Sequence, residues 1–563
     1  MNTFDILQVV FYAAALLALS KPLGVFLAGA LKDDSPWQRR VFSPVERAIY
    51  RLAGIAPGTE MNWKRYTGAV LAFNAFGFLA VFLLQLFQHK LPLNPNGLGP
   101  VEGWLAFNTA VSFMTNTNWQ SYAGETTLSY LTQMLGLGVQ NFLSVATSTG
   151  VMAALARGLA GHKISGLGNF WGDVTRVTVR VLLPLSLLVA FALVGEGVVQ
   201  TFRPNAKVTT LEGTEQVIPL GPAASQIAIK QLGTNGGGFY NANSAHPLEN
   251  PTPLSNFIEM FALLLLPGGC VFAYGAMVGD KGHARALFAV MFAVWSAGLA
   301  GALYSEYHSA AVTGGAALME GKEVRFGVTN SVLWAVSTTA ASNGSVNAMH
   351  SSLSPVAGGI AMFNMMLGEI IFGGVGCGLY GMVLFALLTV FLCGLMVGRT
   401  PEYLGKKVEK REMQMTLTGI LASSAVLLIG TALSCAMPAA LASLSSKGPH
   451  GFSEILYAWT SACGNNGSAF AGLNANVPFY NIGLGLAMLV GRFAVLVPVL
   501  AIAGSMGAKQ PSPPSAGTLP TDTPTFGLLL AAIIIIVGGL TYFPALTLGP
   551  IVEQLLMFKG AAF

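Results

Sequence analysis

Five residues, Thr234-Asn235-Gly236-Gly237-Gly238, constrain this chain most, because they set polar groups and bare backbone inside an apolar sequence. Three other segments are degenerate copies: Thr115-Asn116-Thr117-Asn118, Ser342-Asn343-Gly344-Ser345 and Asn465-Asn466-Gly467-Ser468. Each follows a short apolar run of about three helical turns and precedes a long apolar one. The 563 residues are 53% hydrophobic and only 9% charged, whereas soluble domains carry roughly 25% charged residues. The chain therefore reads as an all-α polytopic membrane protein. Irregular backbone at membrane depth survives only where protein surrounds it or where it lines a cavity or pore. Four such elements predict a ring of loops about one axis.

A helix crossing the hydrocarbon core needs about 20 apolar residues. Ten runs qualify: 4–27, 67–87, 129–153, 177–199, 254–278, 286–304, 356–397, 415–436, 480–503 and 525–545. The seventh is too long for one helix and contains Gly373-Gly374-Val375-Gly376-Cys377-Gly378, which predicts a break in mid-membrane. The start, Phe4–Leu27, lacks a basic lead and a cleavage site and reads as a retained helix rather than a signal peptide. Loops on one side carry eighteen basic residues, among them Arg39, Arg40, Arg47, Arg51, Arg399 and Lys406, against seven on the other. The positive-inside rule makes the first side cytoplasmic. Both termini are then extracytoplasmic, and all four polar loops enter from outside.

The expected unit is outer helix, pore helix, loop and inner helix. One integral-membrane domain, 1–563, would hold repeats at 67–153, 177–278, 286–397 and 415–503, with extra helices at 4–27 and 525–545. Pore helices are expected at 104–114, 223–233, 328–341 and 452–463. Anchoring the loops on Asn116, Asn235, Asn343 and Asn466 gives separations of 119, 108 and 123 residues. In this register Thr117 stands where the other loops have glycine. The stretch from Gln510 to Pro524, rich in Pro, Ser and Thr, reads as a flexible connection.

A dehydrated potassium ion requires several oxygen ligands, and rings of backbone carbonyls supply them in potassium channels. Glycine permits the dihedrals that turn successive carbonyls inward, and pore helices would aim their negative ends at the axis. The predicted ion-binding residues are Asn116, Thr117, Thr234, Asn235, Gly236, Ser342, Asn343, Gly344, Asn465, Asn466 and Gly467. Gln120 is expected to set the mouth and Trp119 to pack. No acidic residue lies in the four tetrapeptides, which speaks against a calcium site and for a weakly hydrated monovalent ion.

Asn-Thr-Asn-Trp-Gln-Ser-Tyr (116–122), Gly-Thr-Asn-Gly-Gly-Gly-Phe (233–239), Ser-Asn-Gly-Ser-Val-Asn-Ala (342–348) and Gly-Asn-Asn-Gly-Ser-Ala-Phe (464–470) together resemble the KdpA family over essentially the whole chain. The resemblance implies the fold of the superfamily of potassium transporters and the role of potassium-binding subunit in a bacterial inner-membrane potassium-transporting ATPase. It implies uptake of extracytoplasmic potassium, blocked direct passage at the broken helix, and sideways delivery through an intramembrane tunnel to KdpB. That P-type subunit would bind ATP and magnesium, with KdpC and KdpF completing the complex. The sequence agrees that the motor lies elsewhere: Asp280-Lys281 continues as Gly-His rather than Thr-Gly, and no P-loop is present.

Charges at membrane depth are functional candidates. Glu369, before the glycine break, could attract ions leaving the ring, with Gly374 and Gly376 as gate residues. Arg492 could pin the glycine loop or repel cations. Lys230, beside the second loop, should face away from the axis, and Arg180 should snorkel to the interface. The seven histidines scatter over loops without metal spacing, and the five cysteines read as small buried hydrophobes. A self-contained potassium channel or symporter of the Trk/Ktr type would share the ring. A membrane enzyme would need a catalytic constellation, and none is evident. The net charge of +5 gives no case for nucleic acid, whereas lipids necessarily surround the chain.

Overall fold

The computed structural model describes residues 1–309, 317–368, 370–396, 398, 400–512 and 518–560. Among them are ten helices long and apolar enough to cross a membrane. Glu369, Arg399 and residues 513–517 of the linker lie outside the described residues.

The helices sort into two shells. Those that follow the polar loops, Thr132–Ala160, Pro253–Val278, Cys377–Met396 and Pro478–Gly507, are 61–83% buried. The helices that precede them, Trp63–Lys90, Phe170–Gly195, Lys281–Ser309 and Lys410–Ala436, are 28–44% buried. The terminal pair, Thr3–Lys32 and Pro524–Met557, are 22% and 28% buried. Thr132–Ala160, the least apolar of the ten, is the most enclosed and carries Asn141, Ser144, Thr147, Ser148 and Thr149 inside. Polar side chains in a membrane find partners only in protein, so the helix that bears them goes to the centre.

Four short helices stand among these spans, at Gly103–Met114, Ala223–Leu232, Gly327–Ala340 and Gly448–Cys463. All lie almost wholly in the core. The seventh apolar run splits as expected, into Pro355–Met366 and Cys377–Met396, with the glycine-rich loop between them. The N-terminal helix lies along Pro253–Val278 at close range, because a Cβ on Gly24 would lie 2.5 Å from that of Phe272. Small two-stranded hairpins, Ala206–Thr209 with Glu215–Ile218 and Glu402–Tyr403 with Lys406–Lys407, decorate opposite connections.

Several expectations change. Arg180 does not snorkel: it is 1% exposed and bonds Glu46 Oε1 at 2.5 Å and Asp33 Oδ1 at 2.7 Å. Its partners belong to a surface helix, Pro36–Ala53, and to the turn before it. A paired guanidinium has no need to reach water. His283 and His308 lie within Lys281–Ser309, and His450 lies in a short helix. Cys270, Cys377 and Cys463 are buried, but Cys435 is exposed on an outer helix and Cys393 is half-buried.

Candidate functional site

The four short helices end in loops with one shared backbone. In three of them a left-handed residue and a left-handed glycine flank an asparagine that is not left-handed: Thr234 (φ 49°), Asn235 and Gly236 (88°); Ser342 (51°), Asn343 and Gly344 (86°); Asn465 (47°), Asn466 and Gly467 (97°). In the first loop the matching left-handed positions are Asn116 (68°) and Asn118 (54°). The same register appears in the hydrogen bonds. The N–H groups of Thr117, Asn235, Asn343 and Asn466 each donate to the carbonyl five residues earlier, at 2.9 Å.

This corrects the register read from the sequence. Thr117, not Asn116, is equivalent to Asn235, Asn343 and Asn466, and Asn118 occupies the position of the glycines. Asparagine tolerates left-handed backbone better than other residues with a Cβ, so it can stand in there.

The loops close into a ring. A Cβ on Gly236 would collide with the Asn343 carbonyl, one on Gly344 with the Asn466 carbonyl, and one on Gly467 with the Thr117 carbonyl. The fourth junction is made by side chains: Asn116 Nδ2 donates to the Thr234 carbonyl at 2.8 Å, and Asn235 Nδ2 to Asn116 Oδ1 at 2.5 Å. Every loop therefore touches the next.

The asparagine amides brace this ring. Asn343 Nδ2 donates to the Lys230 carbonyl at 3.1 Å and Asn466 Nδ2 to the Thr338 carbonyl at 2.9 Å, each at the end of the preceding short helix. Their Oδ1 atoms accept from the N–H groups of Ser345 and Ser468. Ser342 Oγ donates to the Gly464 carbonyl at 2.5 Å, and Asn465 Nδ2 to Thr117 Oγ1 at 2.9 Å. Thr234 Oγ1 bonds the carbonyl of Gly233. Asn235 Oδ1 is buried in the ring without a hydrogen-bond partner among the described residues.

A cavity of about 700 Å³ lies over the ring, and Asn118, Gly236, Gly344 and Gly467, the four equivalent positions, all line it. Gln120 sits at its wall and spans two loops: Oε1 accepts from the Gly238 N–H at 2.8 Å, and Nε2 donates to the Gly238 carbonyl at 3.1 Å. Trp119 is buried and packs. His350 also lines the cavity; burial pushes its imidazole down to about 4, and Nδ1 meets Tyr457 Oη at 2.7 Å.

Residues not anticipated from the sequence support the second loop. Lys230 is fully buried and bonds Glu249 Oε2 at 2.5 Å and Asn243 Oδ1 at 2.8 Å. Asn243 Nδ2 in turn donates to the Gly236 carbonyl at 2.7 Å. Glu259 holds Gln231 and Ser244 nearby. Of these residues only Lys230 is singled out by the sequence, as a charge expected to face away from the axis. Nothing local in the sequence pairs it with Glu249, nineteen residues on.

The glycine-rich loop lies against the other side of the ring. The Val375 N–H donates to Thr234 Oγ1 at 3.1 Å, and the Gly373 N–H to the Ala340 carbonyl at 2.9 Å. Gly376 (φ 85°) packs on the Ser148 carbonyl, and the Gly374 carbonyl accepts from the Gly378 N–H at 2.9 Å. Arg492 donates to Ser148 Oγ and, at 3.3 Å, to the Ser144 carbonyl. Ser144 Oγ bonds Asn116 Oδ1 at 2.6 Å, so Arg492 and the ring share one helical turn.

Among the described residues no group of three or more His, Cys, Asp or Glu is placed to hold a metal ion. The model of the family described as KdpA, the potassium-transporting ATPase A subunit, matches residues 10–555. A potassium-transporting ATPase potassium-binding subunit from Rhodospirillum centenum is 55% identical, covering 100% of this chain and 99% of that one. Namesakes from Leptospira interrogans (55%, covering 92% and 94%) and Pseudomonas entomophila (53%, covering 99% and 99%) are similarly close. The crystal structure of the potassium transporter TrkH from Vibrio parahaemolyticus superposes with a TM-score of 0.53 at 15% identity, covering 86% of this chain and 97% of that one. That likeness fixes the fold, a multi-pass membrane architecture shared with a potassium transporter. With the match over nearly its whole length, the chain belongs to the KdpA family of potassium-transporting ATPase A subunits.

Proposed function

We propose that this chain binds and selects potassium for an ATP-driven, high-affinity uptake complex of the bacterial inner membrane. The closed ring of loops carries the reading: most of its amide and hydroxyl side chains brace the loops, leaving carbonyls of Thr117, Asn235, Asn343, Asn466 and their neighbours for the ion, with the unpartnered Asn235 Oδ1 as a further oxygen. Four short helices ending at the ring add the negative ends of their dipoles. The names of the relatives, potassium-binding subunits, support the choice of ion. The ring and its cavity face outside, as the excess of basic residues in the opposite loops favours.

The exit is sideways. The glycine loop fills the space beneath the ring, and Arg492 adds a positive charge there, which disfavours a direct cation path. A cavity of about 50 Å³ lies laterally, lined by Met365, Gly368, Leu384, Tyr542, Cys463 and Gly464, the last two adjoining the fourth loop. Such a cavity suits an ion handed on to the P-type subunit KdpB, which would hold ATP and magnesium, with KdpC and KdpF beside it. In this reading the four helix–short helix–loop–helix units are repeats, and 4–27 and 525–545 are additions.

Equilibrium binding of potassium against sodium to the purified complex tests the proposal. Preference for potassium, abolished by a bulky residue at Gly344, is expected. Equal affinity for both ions would refute the ring as selector.

A further inference from the structure

The surface helix Pro36–Ala53 has three distinct stripes, and two of them are largely exposed. The first stripe is occupied: Glu46 bonds Arg180, and Gln38 Nε2 donates to the Phe26 carbonyl at 3.1 Å. The second stripe is apolar and outward. Trp37, Val41, Val45 and Leu52 fall at helical spacing on one side and are 54%, 57%, 50% and 88% exposed. On the shoulder of that stripe lie Arg40, Arg47 and Arg51, all exposed, with Arg39 beyond them. Arg39, Arg40 and Arg51 make no ion pair or hydrogen bond with any described residue, and Arg47 bonds only the Ser43 carbonyl of its own helix.

Depth is fixed by what precedes the helix. Thr3–Lys32 has 30 residues, about 45 Å of helix, which exceeds the roughly 30 Å hydrocarbon core. Pro36–Ala53 therefore begins at headgroup level, held by the αL turn at Asp33, by Arg180 and by the stacking of Trp37 on Phe26 (centroids 5.9 Å apart). A helix at that level with an apolar stripe and a row of arginines on its shoulder is built to lie in the interface of a charged leaflet. Aromatic belts sit at the same depth.

The geometry points to Pro36–Ala53 as a docking surface for anionic phospholipid: its apolar stripe enters the acyl boundary while Arg40, Arg47 and Arg51 collect headgroup phosphates. Each arginine near an anionic surface changes binding by roughly fivefold, and the attraction is screened within about 10 Å at 0.1 M salt. This rests on the placement of the helix alone, independently of ion specificity or of which side is cytoplasmic.

The test uses the whole complex in phosphatidylcholine vesicles carrying phosphatidylglycerol in both leaflets, so the result does not depend on orientation. A photo-crosslinking residue, benzoylphenylalanine, replaces Val41, and adducts are identified by mass spectrometry. Phosphatidylglycerol should be captured severalfold above its share of the lipid. The enrichment should fall to that share in the Arg40→Gln/Arg47→Gln/Arg51→Gln variant and at high salt. Capture of another subunit of the complex would overturn the proposal, and so would capture of both lipids in proportion to their abundance.

Discussion

Gly236→Ala tests the ring most directly, because its geometry predicts both the site and the size of the damage. A Cβ at Gly236 would lie more than 1 Å inside the 3.0 Å that real Cβ contacts keep from a neighbour, and the atom it meets is the Asn343 carbonyl oxygen. Backbone cannot yield as a flexible side chain does, because Asn343 is tied by its own N–H to Thr338 and by its amide to the Lys230 carbonyl. The carbonyl must turn or the two loops must part. Removing one oxygen from a cation costs about 1.5–3 kcal/mol, the range for hydrogen bonds to charged groups, or roughly ten- to a hundredfold in affinity. Gly213→Ala serves as control: its φ of 81° brings the same backbone strain, but no atom lies within 4 Å. Potassium-dependent ATP hydrolysis by the reconstituted complex gives the half-saturating concentration. It should rise at least about tenfold in Gly236→Ala and stay unchanged in Gly213→Ala. Wild-type behaviour of a stably assembled Gly236→Ala complex would refute the ring as ion site.

Lys230→Met strands the Glu249 carboxylate in the core and should destabilise the complex by about 3–5 kcal/mol; Lys230→Met/Glu249→Gln should recover most of the melting temperature. His350 is held neutral by burial, its pKa lowered to about 4 from 6.5. Its contribution is fully present above pH 6.5 and is lost as pH falls toward 4, up to about 3 kcal/mol, so His350→Gln should flatten the acid limb of a pH–melting profile. Asn118→Gly removes the bond from Asn118 Nδ2 to Asn141 Oδ1 and should cost about 1 kcal/mol of stability while uptake stays within a few-fold of wild type. Complete loss of uptake in a stable Asn118→Gly complex would show that this residue does more than bend the chain.

The elements that obey local rules were legible from the sequence. A run such as Pro253–Val278 is too apolar and too long to be anything but a span, and Gly373–Gly378 cannot continue a helix at low cost. The position of the four loops followed because each breaks an apolar stretch. Pairings across the fold were not legible. Arg180 looked like an interface residue because Asp33 and Glu46, its partners, lie more than 130 residues away in a segment read only as a basic loop. The amphipathic helix there is hidden for a related reason: the number of its arginines fixes topology, whereas their place around a helical turn shows only once the helix is formed.

The slip in the first loop shows where matching by residue type fails. Asn116 and Asn235 carry the same side chain and even bond each other, yet they occupy different steps of the backbone. What repeats is a conformation: two left-handed residues flanking one that is not, after a short helix whose last turn accepts the loop's N–H. Glycine marks that conformation in three loops, and in the first it is met by Asn118, whose side chain is held by Asn141. Asn116 stands at the first position instead and, like its equivalents Ser342 and Asn465, reaches the next loop. It bonds the Thr234 carbonyl, Asn235 and Ser144, closing the ring at its one glycine-free junction and tying it to the helical turn that Arg492 grips. The departure from symmetry therefore lies where the ring joins the loop and charge beneath it, and a change at Ser144 would be felt on both.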